Sequence, residues 1–273
     1  MPDQVTTAFE RCIDEGERRL LRSRSALLAT GTVGGLDVSI GVLALLVVHH
    51  LSGNELLAAL AFGIGFIAVT LASSELFTEN FLVPVTAVVA GRCRPRGLLR
   101  LWGGTACSNL AGGWVFTGLA MLGFPELRES ALEIGRHYED FGIGARSFAA
   151  GLIGGMTITL MTWMERGTDS VPGKLAAAVS AGFLLSAAKM NHAIVMSLMM
   201  FAALHAGAPF GYADWLGGAT WAALANMVGG MGLVTVLRLI QVGRAQVEAE
   251  RRRPPDAPRP GEDELAGLKA GNA

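Results

Sequence analysis

Charge is absent from most of this chain. Between Ala26 and Ala90 the only acidic or basic residues are Asp37, Glu55, Glu75 and Glu79; between Leu101 and Phe124 there are none; between Leu175 and Tyr212 there is only Lys189. Charge crowds instead into Met1–Arg24, Arg92–Arg100, Glu126–Asp140 and the tail after Arg238. A helix that crosses a bilayer needs roughly 20 mostly apolar residues, because the hydrocarbon core is about 30 Å thick. Six stretches meet that requirement: 26–51, 55–90 (interrupted), 100–123, 145–164, 174–206 (interrupted) and 214–241. The averages alone, 16% charged residues and a net charge of −1, would fit a soluble enzyme. The mean hydropathy of +0.44 would not. The pattern excludes a disordered chain, a disulfide scaffold and a nucleic-acid binder with a basic face. Lipid offers no partner to an open backbone, so continuous apolar runs read as helices, whereas a barrel would show short alternating strands. The 36 glycines fit closely approaching membrane helices.

Loop charge sets an expected orientation. Arg11, Arg18, Arg19, Arg22 and Arg24 precede the first span, Arg92, Arg94, Arg96 and Arg100 separate spans two and three, and Arg166 and Lys174 flank the loop between four and five. Arg238, Arg244, Arg251, Arg252 and Arg253 follow span six, whereas the opposite side carries chiefly Arg128, Arg136 and Arg146 in a mostly acidic loop. The positive-inside rule then puts both termini in the cytoplasm of a bacterial-type inner membrane. Residues 1–24 are too charged for a signal peptide. Val5, Phe9, Ile13 and Leu20 recur at helical spacing, with Thr7 and Glu10 able to form a capping box, so this segment reads as an amphipathic surface helix. Residues 25–241 form the six-span domain, and 242–273 a charged, Pro-rich tail expected to be disordered. The spacing of Cys12, Cys93 and Cys107 indicates neither a disulfide framework nor a metal site, and no cofactor is implied.

The chain repeats itself. Asn109-Leu-Ala-Gly112-Gly113 in span three recurs as Asn226-Met-Val-Gly229-Gly230 in span six, 117 residues later. The same offset carries Glu75 onto His192, and both lie in polar interruptions: Ser73 to Asn80 in span two, Lys189 to His192 in span five. Two copies of three spans each must lie in opposite orientations, and matching breaks in inverted repeats mark a transport site near the midplane. The glycines allow close helix approach, and Asn109 and Asn226 are placed to bond backbone freed at the neighbouring break.

Ser74-Glu75-Leu76-Phe77-Thr78, followed by Glu79 and Asn80, resembles the Glu-Leu-Phe-Thr motif of the formate/nitrite transporter family. Asn191-His192-Ala193 falls where that family carries its central histidine, and Asn226-x-x-Gly229-Gly230 is similar to its last-helix signature. The Leu-Phe-Thr-Glu-Asn form is nearest to a less characterised branch. The resemblance implies an all-α, aquaporin-like membrane fold with broken helices two and five, assembled as a homopentamer with one pore per protomer. It implies passage of small monovalent anions of weak acids, such as formate, nitrite or hydrosulfide. Leu76, Phe77 and Thr78 then lie on the loop of broken span two, with Leu76 at a constriction, and Asn191 and His192 lie at the pore centre. The fourth span departs from the pattern: the run Gly155 to Trp163 lacks the usual Asn.

An ionisable group deep in a bilayer is costly, so it faces the bundle interior or a wet cavity. His192 is a candidate hydrogen-bond or proton donor to an anion; a protonated, neutral weak acid crosses an apolar constriction at far lower desolvation cost than its anion. Lys189, one turn before it, has three readings: a pore charge that draws anions, a partner of Glu75 or Glu79, or a snorkelling side chain. Glu75 is read as an acceptor of backbone N–H bonds in its loop, and Glu79 and Asn80 as structural residues of the same break. Competing functions are a pore for a small neutral solute, a non-conducting structural membrane protein, and an intramembrane enzyme using His192 with Ser180, Ser186 or Ser197. No serine stands in a nucleophile motif, so the enzyme reading has least support.

Overall fold

The computed structural model describes residues 4–253. It is helical throughout, with no strand among the described residues. α1 (Gln4–Leu21) precedes α2 (Arg24–Ser52), which is capped by Ser23 at its start and ends at Gly53 in the left-handed conformation. α3 (Glu55–Ala72), capped by Asn54, stops at Ser73, a non-glycine residue at φ 54°. A short 3-10 turn (Phe77–Phe81) then leads into α4 (Val83–Val89). α5 (Arg96–Gly123) and α6 (Arg128–Phe141) meet at 106° across Phe124 and a 3-10 turn at Pro125–Leu127. α7 (Ala145–Arg166) completes the fourth span. α8 (Val171–Ala187) and α9 (Ala193–Ala206) are the two pieces of the fifth, and α10 (Tyr212–Met227) continues through a π-helical segment, Val228–Thr235, into α11 (Val236–Val242). α12 (Arg244–Arg252) follows.

These elements coincide with the six expected spans. α2, α3, α7 and the continuous α10–α11 are long and apolar enough to cross a bilayer by themselves. Broken span two pairs α3 with α4, and broken span five pairs α8 with α9. Leu51, Leu56, Leu60, Leu119, Leu122, Leu237 and Ile240 stand exposed on the outside. The centre is closely packed: every residue from Ala193 to Ala203 is buried. An aqueous fold would invert that exterior, whereas lipid or a neighbouring subunit accepts it.

Two details differ from expectation. α1 already starts at Gln4, so Thr7 and Glu10 lie inside the helix and do not cap it. The start of the tail is ordered: α12 adds Val247 to the apolar cluster that holds Phe9 and Ile13 of α1, and Glu250 takes Arg92 at 3.2 Å and Arg253 at 2.9 Å. The rest of the expected disordered tail, 254–273, lies outside the described residues. α1 and α12 together cover one face of the bundle, the termini face; α6 and the turns at Gly53, Gly142 and Gly207 lie on the far face.

Candidate permeation site

Each break is held open by one asparagine. Asn109 on α5 accepts from the Phe77 backbone N–H at 2.9 Å and donates to the carbonyls of Glu75 (2.9 Å) and Gly31 (2.6 Å). Asn226 on α10 repeats this in the other half: it accepts from Ala193 N–H at 2.8 Å and donates to Asn191 O (2.9 Å) and Gly151 O (2.7 Å). A chain that leaves helical geometry inside the bundle frees backbone groups that must be paired. One primary amide pairs two of them per break and anchors the break to a carbonyl of a neighbouring helix.

The same bonds define the repeat. They equate Glu75 with Asn191 and Phe77 with Ala193, an offset of 116 rather than 117 residues. His192 therefore corresponds to Leu76, not to Glu75. In the first and fourth spans the offset becomes 120: Gly31, Gly34 and Gly35 match Gly151, Gly154 and Gly155. A Cβ on Gly35 would overlap the Asn109 carbonyl, and one on Gly155 the Asn226 carbonyl. At Gly155 there is thus no room for any side chain, because Asn226 fills the space.

The two breaks meet at the centre. His192 is fully buried; its Nδ1 accepts from Val195 N–H at 3.3 Å as the N-cap of α9, and its Nε2 stands 2.8 Å from the Thr78 hydroxyl. With Nδ1 engaged as an acceptor, the ring proton of the neutral form sits on Nε2 and points to Thr78. Leu76, Phe77 and Thr78 are all buried, and Phe77 packs edge-on to Phe81 at 5.0 Å.

A cavity opens toward each face. On the far face, a small pocket is lined by Leu45, His49, Glu55, His137, Lys189 and Met199. Lys189, at φ 46°, reaches Glu55 at 2.9 Å and is 38% exposed. Its partner is thus neither Glu75 nor Glu79, because the left-handed turn directs it to the far mouth. On the termini face, a cavity of about 100 Å³ lies between α1, the end of α3 and the end of α7.

The carboxylates of break two look toward α1. Glu75 is paired with Arg22 (2.5 Å) and Arg19 (3.3 Å), and Glu79 with Arg19 (3.5 Å). The Glu75 side chain thus forms ion pairs and takes none of the expected backbone N–H bonds; those are served by Asn109. Arg19, only 2% exposed, also bonds Glu15 at 2.8 Å and Asn80 Oδ1 at 2.9 Å. Asn80 in turn contacts Thr105 (3.4 Å) and gives its carbonyl to Trp102 at 2.8 Å. Burial pushes the Glu15 carboxyl up, but Arg19 first, then Arg166 and Arg18, more than offset this and hold it down at about 2. Loop charge alone assigns Arg19 to topology and does not reveal this role. Its signal was present: Arg19 falls inside the apolar stripe of α1, four residues after Glu15.

The profile of the formate/nitrite transporters matches residues 6–240. The chain belongs to the formate/nitrite transporter family. As a member of that family it is an integral membrane channel or transporter, not an enzyme. It is 29% identical over 214 residues to the inner membrane protein YfdC of Escherichia coli, covering 72% of this chain and 66% of YfdC's length. It is 25% identical over 253 residues to the uncharacterized transporter YrhG of Bacillus subtilis, covering 88% and 92%. Among solved structures, an FNT family ion channel superposes with a TM-score of 0.74 at 18% identity over 84% of this chain and 96% of the other. A pentameric formate channel with formate bound gives 0.64 at 20% identity, over 78% and 95%. The fold of this transporter family member is therefore the six-helix, inverted-repeat fold expected. No cluster of three or more His, Cys, Asp or Glu able to hold a metal occurs among the described residues.

Proposed function

We propose that this protein is a homopentameric inner-membrane channel for small monovalent anions of weak acids, of the formate, nitrite or hydrosulfide type, with both termini cytoplasmic. The contact between His192 Nε2 and the Thr78 hydroxyl carries the reading. It lies where the two breaks meet, between a cavity on each face, among apolar side chains. A permeant arriving there finds a hydroxyl and an imidazole N–H as its polar partners. The pair hydrogen-bonds an anion or passes it a proton, and the neutral acid crosses the apolar segment at lower desolvation cost. Leu76 and Phe77 form the constriction, Asn226 pairs the backbone on either side of His192, Asn191 ties the break to the Ser147 carbonyl at 3.2 Å, and Lys189 sits at the far mouth. Likeness to a formate-bound pentameric channel supports both substrate class and assembly. Likeness to the inner membrane protein YfdC supports the membrane, and loop charge supports the orientation. On this reading 1–24 is a surface helix on the cytoplasmic side, 25–241 the channel and 242–273 a cytoplasmic tail.

Flux of formate, nitrite, hydrosulfide, lactate and glycerol into proteoliposomes, measured against pH, tests the proposal. Wild type is expected to pass anions in a pH-dependent manner. His192→Asn, which keeps a donor but cannot titrate, is expected to lose the pH dependence and about ten- to hundredfold of the flux. Glycerol flux indifferent to pH and to His192 would assign a neutral-solute pore instead. No flux of any solute would assign a structural protein.

A further inference from the structure

The last span contains one residue more than its counterpart in the first half. In span three the second glycine of the repeated motif is followed by a threonine four residues on, Gly113-Trp-Val-Phe-Thr117; in span six the threonine comes five residues on, Gly230-Met-Gly-Leu-Val-Thr235. Each threonine hydroxyl approaches the carbonyl of that glycine, Thr117 at 2.9 Å and Thr235 at 3.1 Å, so the two are counterparts despite the unequal spacing. The extra residue is taken up where the helix widens. α5 is α-helical past Thr117, whereas Val228–Thr235 is π-helical. A π turn bonds i to i+5 and therefore holds one residue more than an α turn.

The extra residue changes what the hydroxyl reaches. Thr117 stays on its own helix, where its second contact is the Trp114 carbonyl at 3.1 Å. Thr235 crosses to the other half of the molecule, and its shorter contact is the Phe81 carbonyl at 2.9 Å. A hydroxyl has one proton, so Thr235 shares it between Gly230 and Phe81. Val234 holds the place after Gly230 that Thr117 holds after Gly113, and it lines an outer groove with Leu160 and Leu237 instead. Gly230 permits the close approach: a Cβ there would come within 2.4 Å of Thr159 Oγ1 and 3.1 Å of a Phe81 ring carbon.

Phe81 closes the 3-10 turn, Phe77–Phe81, that carries Thr78. Within its own half the turn is held at the Phe77 N–H by Asn109 and at the Asn80 carbonyl by Trp102, both on α5. Among the described residues, two hydrogen bonds tie the turn to the opposite half: Thr78 with His192, and Thr235 with Phe81. The first is the site itself, and a permeant that takes both partners must part them. The second then remains to fix the spacing of the two halves, three residues beyond Thr78. We propose that Thr235, delivered to Phe81 by the inserted residue of the π segment, is a positioning residue that sets the distance between Thr78 and His192. This rests on the reading of that pair as the permeant's polar partners, and adds a determinant of its spacing that lies outside the pair.

Two measurements on the full-length protein test it. The first is the concentration dependence of formate flux in proteoliposomes. The second is amide hydrogen exchange across residues 77–82 in detergent, which needs no flux. Thr235→Val and Thr235→Ala both remove the hydroxyl, one at almost unchanged size and one without crowding. Each is expected to raise the half-saturating formate concentration about tenfold with maximal flux retained, and to speed exchange at 77–82. Thr235→Ser is expected to restore both. In a Thr78→Val background, Thr235→Val is expected to raise half-saturation no further, because it acts through Thr78. A residue that merely stabilises the fold would lower maximal flux, through fewer folded channels, at unshifted half-saturation. That result, or an effect that multiplies with Thr78→Val, would overturn the positioning role. A wild type that carries no formate, with exchange faster in Thr235→Val and normal in Thr235→Ser, would uphold the tie between the halves and overturn the channel. Formate flux with half-saturation and exchange both unshifted would do the reverse.

Discussion

At the scale of single residues, the two amides decide the local structure. Asn109 and Asn226 each satisfy two backbone groups that a break sets free, and each ties its break to a carbonyl of a neighbouring continuous helix, Gly31 of α2 or Gly151 of α7. Both side chains are fully buried, so water cannot replace them. Replacing either by Ala orphans one N–H and one loop carbonyl, at about 1–3 kcal/mol for each group stranded, and removes the tie to the neighbouring helix. Asn109→Ala and Asn226→Ala are thus expected to lower the midpoint of thermal unfolding markedly in detergent. Asp at either site would keep the acceptor but not the donors, and is expected to fall between. The two positions are related by the repeat, so their losses should be similar in size; a large loss at one and none at the other would contradict the symmetry of the breaks. Both asparagines were legible in the sequence because their motif survives in both halves. The matching Gly-x-x-Gly-Gly of the first and fourth spans is equally present, at Gly31 and Gly151, but its offset of 120 hides it from a search at 117. Intervening segments of different length shift the register from one span pair to the next.

At the scale of elements, α1 is more than a surface ornament. Its buried face carries Phe9, Cys12, Ile13 and Leu20 against the bundle, and within that face Arg19 meets Glu75 and Glu79 of the broken span. The amphipathic period announced the helix but not its charged centre, because hydropathy reads a buried arginine as a polar outlier. Removing one member of a buried ionic cluster strands the others, which typically costs about 3–5 kcal/mol. Arg19→Leu is accordingly expected to release α1 from break two. Cys12 reports the release: burial pushes its thiol up to about 12, with nearby Arg166 and Arg19 pulling weakly the other way, so the docked thiol should resist maleimide at pH 8. In Arg19→Leu it is expected to label at the rate of an exposed thiol. Glu15 supplies a second check. Its folded carboxyl is held near 2 against an ordinary value of 4.5, so its contribution is fully present above about 4.5 and is lost as pH falls through that value toward 2. Glu15→Gln should therefore be less stable than wild type at pH 7, and the gap should close between about pH 4.5 and the lowest pH the protein survives. A gap that stays constant with pH would mean that the carboxylate charge is not what docks α1.

At the scale of the whole molecule, inverted halves give two mouths built from unlike parts. The termini-face mouth is made by an added helix, α1, and its arginines; the far mouth is made within the repeat, by α3, α6 and the turn after α8. The spans were legible because their apolar length is a property of composition. The mouths were not, since they depend on which charged side chain reaches which partner across more than a hundred residues. Lys189 shows this well. Sequence spacing alone left it beside His192, beside Glu75 or Glu79, or in the lipid. Its positive φ turns it to Glu55, 134 residues away in the chain. At the far end the pair lines one pocket with His49, Glu133 and His137, and under the proposed function Lys189 is the charge an approaching anion meets there. Both members are partly exposed, so salt screens their attraction and the pair adds little to stability. Their effect should instead appear in selectivity and entry rate, which follow the local potential. Lys189→Ala leaves Glu55 unpaired at the mouth and is expected to lower the anion-over-cation permeability ratio at low ionic strength, with unfolding unchanged. The exchanged pair, Lys189→Glu with Glu55→Lys, keeps the net charge and is expected to recover most of the ratio, and the difference should shrink at high salt. A permeability ratio equal to wild type in Lys189→Ala at every ionic strength would remove this lysine from the permeation path and leave it a purely structural partner of Glu55.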